Sequence, residues 1–451
     1  MNENAKRMVA EIERVRTEIL EAERYIWNHP ETGYREWNTH AYLKEKYEKL
    51  GYTLHEAGNI PGFWCEADTG SPGPCIGVFG EMDSLIVPTH PACDRATGAV
   101  HSCGHHAQSA ALLGVAAALA VPGALDGLCG KVRLFAVPAE ELIELDFRNQ
   151  LIKDGVIRFA GGKQEFLYRG YLDGVDIAIM IHTTDGDALH CTDGSDGCVI
   201  KRATFHGKAC HAAYPEDGIN ALYAANCALN AANALRETFR DEDAIRFHPI
   251  LSNGGTAVNA IPDTVTTESY VRGKTMDTIA AENQKINRAF AASAAALGCG
   301  VQLSDQHGYA PRLNDTNLQN LLQEVSLDFL SAEKVHIHDG WSTGCSDFGD
   351  VGQIMPALHP HIGGAAGLAH GADYRIVDPE LACVISAKLQ VAMISRLLEN
   401  GGAYAEKVLA EATVPCQSRK EYMQKIKPME FDGEAVFYEQ DGTVVLKYQN
   451  L

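Results

Sequence analysis

The sequence predicts an α/β fold, in which a mixed, largely parallel sheet is flanked by helices and a smaller α+β domain is inserted into the chain. Apolar runs at residues 75–80 and 132–137 are short and bounded by turn residues, as is typical of strands buried on both faces of a sheet. Helical or irregular sequence follows each run, which favours parallel strands. From about residue 196 the order changes to β-α-β-β-α-β, the split arrangement of a ferredoxin-like domain. We therefore predict three parts: a first domain (residues 1–195 and 311–400), an inserted domain (196–310) and a C-terminal extension (401–451).

The other elements follow from hydrophobic periodicity and turn residues. Apolar residues at helical spacing predict helices over residues 4–27 and 38–50, the second ended by Gly51 as a C-terminal cap. A third apolar run predicts a strand at 176–181 that ends on His182. The elements predicted for the inserted domain are strands at 198–206, 245–252, 264–272 and 300–304 and helices at 217–236 and 275–297. Those predicted after it are a helix at 314–332, extended chain at 355–362, a glycine-rich loop at 363–374, a helix at 382–399 and a hairpin in the extension.

Composition and charge exclude several classes of protein. The chain has 451 residues, 46% of them apolar, and a formal net charge of −21, so a nucleic-acid partner is not expected. The longest apolar stretch, residues 110–121, is too short to span a membrane, and residues 1–25 lack the apolar core of a signal peptide. Thirteen cysteines, an odd number without CxxC spacing, favour reduced thiols in the cytoplasm.

One thiol and three imidazoles lie just before an apolar helix, in the stretch His101-Ser102-Cys103-Gly104-His105-His106. Cys103 and His105 are both donors for a divalent metal ion. Gly104 between them permits a turn tight enough to direct both side chains to one point. Taken alone, the stretch is equally compatible with an inert buried cysteine beside a capping histidine.

Further ligand-type residues fall at the carboxyl ends of the predicted strands, where the sites of such sheets form. Asp83 follows the first strand, Glu140 and Glu141 follow the second, and His182 ends the third. Because adjacent side chains point in different directions, one of the two glutamates can bind a metal ion while the other takes a proton from a water molecule. Asp83 suits a supporting role, orienting a ligand imidazole or the base. The sequence therefore predicts a shared metal site.

These residues lie in motifs that resemble the aminoacylase/carboxypeptidase family of co-catalytic metallopeptidases. The closest branch contains hippurate hydrolase, indole-acetyl-amino-acid hydrolase and aminobenzoyl-glutamate hydrolase. The motifs occur in the family's order between about residues 29 and 397, as Glu81-Met82-Asp83-Ser84-Leu85, Val100-His101-Ser102-Cys103-Gly104-His105, Pro138-Ala139-Glu140-Glu141, His211-Ala212-Ala213-Tyr214-Pro215 and Asn259-Ala260-Ile261-Pro262-Asp263. The resemblance implies a phosphorylase/hydrolase-like catalytic domain and a lid domain that makes a homodimer. It also implies a cytoplasmic amidohydrolase that cleaves an N-acyl or N-aroyl amino acid, such as an aminobenzoyl-glutamate-like compound, or a dipeptide.

The resemblance also assigns roles to individual residues. It implies two divalent ions per subunit, zinc or manganese, or cobalt, and a metal-activated water with Glu140 as general base. It implies a lid residue, His211, that stabilises the oxyanion in the partner's active site, and Asn259 and Arg272 as residues that hold the substrate's carboxylate and carbonyl. The implied metal ligands are Cys103, His105, Glu141, His182 and His370.

Several alternatives stay open. His359 and His361 are rivals of His370 as the last ligand, and His336 and His338 have the same spacing. A catalytically inactive metal-binding relative is a second reading of the whole chain. A nucleophilic hydrolase using Ser346 or Cys345 is a third, although neither lies in the glycine-flanked elbow that such nucleophiles occupy.

The sequence also departs from the family's pattern. Glu81 stands where many relatives have Asp or His, and His106 and Gln108 replace the usual Asp and His after Cys-Gly-His. The usual glycines after Glu141 are replaced, and about twenty extra residues, ending near Tyr171, precede the strand of His182.

Overall fold

The computed structural model describes residues 1–449 and divides them into two compact units. The first unit consists of Met1–Gly194, Leu313–Trp341 and Asp350–Arg419. The second consists of Ser195–Arg312, Ser342–Gly349 and the described residues from Lys420 onward. Residues 196–310, the predicted inserted domain, lie in the second unit, whereas the described part of the predicted extension, residues 401–449, is divided between the two units after residue 419.

The bounds of the elements are as follows. The helices, in chain order, are α1 (Glu3–Arg14), α2 (Arg16–Trp27), α3 (Trp37–Lys49), α4 (His105–Ala120), α5 (Leu145–Lys153), α6 (Gly162–Tyr168), α7 (Ala221–Ala234), α8 (Met276–Ala296), α9 (Thr316–Ser326), α10 (Phe348–Val351), α11 (Ser386–Leu398), α12 (Ala403–Glu411) and α13 (Arg419–Lys425). The strands are β1 (His55–Glu56), β2 (Phe63–Asp68), β3 (Cys75–Glu81), β4 (Leu85–Ile86), β5 (Ala99–Val100), β6 (Lys131–Val137), β7 (Ile177–Ile179), β8 (His182–Asp185), β9 (Leu189–Cys191), β10 (Gly194–Ser195), β11 (Gly197–His206), β12 (Cys210–His211), β13 (Arg246–Asn253), β14 (Ala260–Ile261), β15 (Thr264–Gly273), β16 (Gly300–Tyr309), β17 (Arg312–Leu313), β18 (Val335–Ile337), β19 (Trp341–Ser342), β20 (Ala357–Leu358), β21 (His361–Ala366), β22 (Arg375–Ile376), β23 (Phe431–Glu434), β24 (Val436–Tyr438) and β25 (Val444–Leu446).

The main sheet of the first unit is mixed and largely parallel, in the order β1-β2-β6-β3-β7-β20. The pairs within β6-β3-β7-β20 are parallel, and β1 and β2 add an antiparallel edge. Every residue of β3 is buried, as the apolar run at residues 75–80 predicts for most of its length. The predicted fold class of the first domain is confirmed.

Helix α4 is the central helix of this unit. All of its residues from His105 to Leu119 are buried. Gly114 permits a close approach of its neighbours, because a Cβ atom there would lie 2.7 Å from Ile19 of α2 and 3.1 Å from Ala387 of α11. These contacts fix the position of α4, whose first residue, His105, is one of the candidate metal ligands.

The strand before His182 is shorter than predicted. β7 ends at Ile179, and His182 begins β8, which pairs with β21 in a second sheet. The amides of Met180 and His182 donate to the carbonyls of Leu358 and Pro360, both at 3.0 Å, so the chain follows β20 and β21 out of the main sheet. Helix 4–27 is likewise two helices, α1 and α2, that meet at Val15, a β-branched residue with ψ 11°.

The second unit contains an antiparallel sheet in the order β13-β15-β11-β16-β23. Its first four strands and helices α7 and α8 follow in the chain as β-α-β-β-α-β, so the predicted ferredoxin-like arrangement is confirmed. β23, from the C-terminal tail, pairs with β16 as a fifth strand. The hairpin β24–β25 adds Val436 to the core of this unit.

Among residues 1–449, one helical stretch, Glu380–Leu398, is long and apolar enough to cross a membrane by length and composition. It consists of a π-helical segment, Glu380–Ile385, continued by α11. Within the protein it is a core helix, because 89% of its most apolar window is buried.

We expect Gly114→Val to lower the melting temperature, because the side chain would overlap Ile19 and Ala387. Overpacking of this kind costs about 1–3 kcal/mol. The control is Ala120→Val at the exposed end of the same helix, where only helix propensity changes, by a few tenths of a kcal/mol. Equal melting temperatures for the two variants in a calorimetric scan would contradict the packing described for α4.

Candidate metal centre

The thiol of Cys103 and the imidazole of His105 are positioned by a single glycine turn. After β5 the chain turns at Gly104, whose φ is +109°, and α4 begins at His105. A Cβ atom at Gly104 would lie 2.7 Å from the Tyr374 hydroxyl, in a backbone conformation that favours glycine. The turn therefore depends on glycine at this position, as the sequence predicts.

Asp83 connects His105 to the segment that carries the two glutamates. Its Oδ1 accepts a hydrogen bond from His105 Nδ1 at 3.0 Å, and its Oδ2 accepts one from the Glu141 amide at 2.8 Å. Burial alone would raise the pKa of Asp83, but His105 and these hydrogen bonds outweigh it and lower the pKa to about 2. Because Nδ1 of His105 donates to Asp83, Nε2 of the neutral ring presents a lone pair, the usual arrangement of a metal-binding histidine.

Glu140 and Glu141 follow a strained turn. Ala139 has φ +55°, and its amide donates to an oxygen of the buried Glu36 carboxyl group at 2.7 Å. A positive φ at a residue other than glycine costs about 1–3 kcal/mol and persists only where the surroundings enforce it. The turn places Glu140 Oε2 4.0 Å from His105 Nε2, and both glutamates are buried.

His182 and His370 reach the same place from the second sheet and from the glycine-rich loop. His182 donates from Nδ1 to the carbonyl of Thr183 at 2.7 Å, and its Nε2 lies 3.6 Å from the sulfur of Cys103. Burial lowers the pKa of His182 to about 4, so its ring is neutral at neutral pH. The amide of His370, which has φ +63°, donates to the carbonyl of Ser102, and its Nε2 lies 3.3 Å from Glu141 Oε1.

The donor atoms form two triads that share Cys103. One is Cys103, His105 and His182, and the other is Cys103, Glu141 and His370; within each, the donor atoms lie within 4.8 Å of one another. A third group of the same kind consists of Glu81, His105 and Glu140. A cysteine sulfur common to two triads is a donor arrangement suited to a pair of divalent ions.

The electrostatics of the site also fit a cation. The buried atoms His105 Nε2 and Glu81 Oε2 face each other at 3.3 Å, and neither has a hydrogen-bond partner. Burial would lower the pKa of His105, but Cys103 and the carboxylates of Glu81 and Asp83 raise it well above its usual range. The residues present therefore fit a positively charged group at this point.

The rival histidines lie outside the three donor groups found among residues 1–449. The rings of His359 and His361 are 5.9 and 5.5 Å from that of His182, so they border the site. His336 on strand β18 is stacked on His190 of β9, and His338 faces Asp193 at 3.1 Å.

The residues predicted to act on the substrate lie in the second unit. His211 on β12 is exposed, and the pairing of β12 with β14 places it beside Asn259, whose carbonyl accepts from the amide of Ala212 at 2.9 Å. Arg272 lies on β15 and donates to the carbonyl of Thr343 at 3.2 Å. Ser346 and Cys345 belong to this unit as well.

Two buried residues of the site were not predicted from the sequence. Glu81 was not predicted to have a functional role, and Lys163 was not identified at all. The signal for Glu81 was present, since it is the last residue of β3 and lies two positions before Asp83. Lys163 gave no signal, because it lies in the extra segment between Glu141 and Tyr171.

The mixed sheet and the two donor triads are the features of a metal-binding enzyme, here with an additional domain. Residues 193–296 match the family model described as the peptidase dimerisation domain. The chain is 30% identical to the human Xaa-Arg dipeptidase over 377 residues, which is 78% of each protein. It therefore belongs to the M20 family of metallopeptidases and amidohydrolases and is an enzyme that hydrolyses amide bonds.

The chain is also similar to more distant proteins, in sequence and in fold. The N-acetyl-L-cysteine deacetylase of Bacillus subtilis (strain 168) is 26% identical over 68% of this chain and 72% of its own length. A solved structure from Bacillus subtilis, a dinuclear metal-binding peptidase of the M20 family, has a TM-score of 0.64 and 20% identity, covering 85% of this chain and 98% of that one.

We expect Asp83→Asn to weaken metal binding and activity, each by about 10–100-fold, the range for residues that orient metal ligands. The –NH₂ group of the asparagine would face either Nδ1–H of His105 or the amide N–H of Glu141, so two hydrogen-bond donors would oppose each other. Metal content, measured by mass spectrometry after dialysis, and the rate of amide hydrolysis check this. Asp126→Asn, at an exposed position, is the control. Wild-type metal content and rate in the Asp83 variant would show that Asp83 does not orient the ligands.

Proposed function

We propose that this enzyme cleaves the amide bond of an N-acyl or N-aroyl amino acid with a free carboxylate, using two divalent ions and Glu140 as general base. The two donor triads that share Cys103, with Glu140 Oε2 4.0 Å from His105 Nε2, carry the proposal. The proposed ligands are Cys103, His105, Glu141, His182 and His370, and the proposed metal is zinc or manganese, or cobalt.

In the proposed mechanism, two bound divalent ions would supply Lewis acidity, lowering the pKa of a water molecule and polarising the amide carbonyl. Glu140 accepts the proton of that water as it attacks the carbonyl carbon. Glu140 then delivers the proton to the nitrogen of the leaving amino group as the C–N bond breaks. Asp83 holds His105 and the Glu141 backbone in place throughout.

The proposed roles in the second unit rest on the family resemblance. His211, provided by a partner subunit, would stabilise the developing oxyanion. Asn259 and Arg272 would bind the carbonyl and the carboxylate of the substrate, for which a guanidinium group is suited in so acidic a protein. The dimerisation-domain match supports a homodimer, and Ile250 and Leu251 on the edge strand β13 are 62% and 45% exposed, which supports it further.

A dipeptide is the second candidate substrate. The relative with 30% identity is an Xaa-Arg dipeptidase, whereas the Bacillus subtilis deacetylase acts on an N-acetyl amino acid. Both names describe an acyl group joined to an amino acid through an amide. Within the described residues 1–449, all thirteen cysteines lie outside disulfide bonds, which supports the proposal that the enzyme works in the reducing cytoplasm.

We expect Glu140→Gln to lower kcat by about 10²–10⁴-fold, the contribution of a general base. Metal content should stay at the wild-type level, because the proposed ligand is the neighbouring Glu141. Glu144→Gln, a nearby glutamate outside the donor groups, serves as the control. A Glu140 variant with wild-type turnover would rule out Glu140 as the base.

We expect a chelator to abolish hydrolysis and added zinc or manganese to restore it. The assay uses a panel of benzoyl-, aminobenzoyl- and acetyl-amino acids together with dipeptides that end in arginine and in other residues. A preference within the panel distinguishes the two substrate classes. Activity that resists complete removal of metal would instead support a nucleophilic residue, and Ser346→Ala and Cys345→Ala would then identify it.

A further inference from the structure

A fully buried lysine contacts the candidate metal centre from the extra segment of the chain. Lys163 is the second residue of α6, and its Nζ atom donates to Oε1 of Glu81. Both side chains are completely excluded from solvent. An ion pair at this depth is unusual, because removing two charges from water costs several kcal/mol per ion unless the geometry compensates for it.

The second oxygen of Glu81 faces the first donor triad. Oε2 lies 3.3 Å from Nε2 of His105 and 3.9 Å from Nε2 of His182. Both imidazoles donate from Nδ1 elsewhere, to Asp83 and to the carbonyl of Thr183, so the atoms facing Glu81 are those with lone pairs in the neutral rings. The Glu81 carboxylate therefore connects the Lys163 ammonium group with two of the three donors of that triad.

The backbone fixes Lys163 in this position. The amide of Gly162 donates to the carbonyl of Ala139 at 3.0 Å, directly before Glu140 and Glu141. A side chain at Gly162 would collide with the carbonyl of Pro138, so α6 begins in close contact with the glutamate turn. The extra segment is thus attached to the metal centre at two points, through its backbone and through Lys163.

We propose that Lys163 is a positioning residue for the ion held by Cys103, His105 and His182. It holds Glu81 by one oxygen and thereby directs the other oxygen toward that ion, setting its affinity and its coordination. The inference depends on the proposed metal site, and Lys163 itself does not contact the substrate.

The test is a double-mutant cycle of Lys163→Met and Glu81→Gln. Each single variant leaves one buried charge without its partner, so the double variant E81Q/K163M, which removes both charges, is included to preserve folding. The measurements are the number of bound zinc ions, zinc affinity by competition with a chromophoric chelator, and the absorption spectrum after cobalt substitution, which reports the coordination of the ion.

We expect each single variant to bind one of the two zinc ions about 10–100-fold more weakly, and to show a changed cobalt spectrum. The double variant should be no weaker than E81Q, because Lys163 acts through Glu81. The matched control is Arg169→Met, which removes a cation at the end of the same helix that pairs with Glu165 at 2.6 Å. It should lower the melting temperature and leave zinc affinity and the cobalt spectrum unchanged.

Wild-type zinc affinity and an unchanged cobalt spectrum in K163M would overturn the inference, as would losses in the two single variants that add in the double variant. The wild-type enzyme separates this failure from failure of the proposed function. If the wild type binds no zinc, the proposed metal site is wrong and the inference falls with it. If the wild type binds two ions and the Lys163 variants match it, only the role of Lys163 is wrong.

Discussion

The carboxylate of Asp83 is the contact on which the geometry of the site depends. One oxygen binds His105 and the other binds the backbone of Glu141, so a single side chain holds two segments that lie more than thirty residues apart in the sequence. Hydrogen bonds to a charged group contribute about 1.5–3 kcal/mol each, and an unpaired buried carboxylate would cost more than that. Asp83 therefore stabilises the folded site only when both partners are in place, which makes the position of His105 dependent on that of Glu141.

Buried negative charge is the second constraint, and the protein reduces it in two ways. Burial and the neighbouring Asp83 raise the pKa of Glu36 well above its usual range, which favours the uncharged form of that carboxyl group. Lys163 neutralises Glu81 directly, and the buried Arg148, also from the extra segment, lowers the pKa of Asp83 by its charge. The charge that remains belongs to the donor atoms, where a divalent cation would compensate for it.

The parts of the site that the sequence predicts are those fixed by the sheet. Asp83, Glu140 and Glu141 follow parallel strands, and the carboxyl ends of such strands meet at one edge whatever the details of packing. The bounds of β7 were predicted less well, because a run of apolar residues does not show where a chain leaves one sheet for another. Lys163 could not be predicted, since its contact with Glu81 depends on how Gly162 packs against Pro138, more than twenty residues earlier. The division of the C-terminal tail has the same cause: β23 pairs with an edge strand that no local pattern identifies.

A comparison of two buried lysines shows why an ion pair can be structural in one place and functional in another. In the second unit, Lys201 donates to Asp305 and to Asn287, and Asn287 donates in turn to the other oxygen of Asp305 at 2.6 Å. Both oxygens of that carboxylate are therefore satisfied, and the network is closed. Lys163 satisfies only Oε1 of Glu81, while Oε2 has no hydrogen-bond partner and is directed at two imidazoles. A buried acceptor left open in this way costs free energy, and a cation held by the neighbouring donor atoms would complete it.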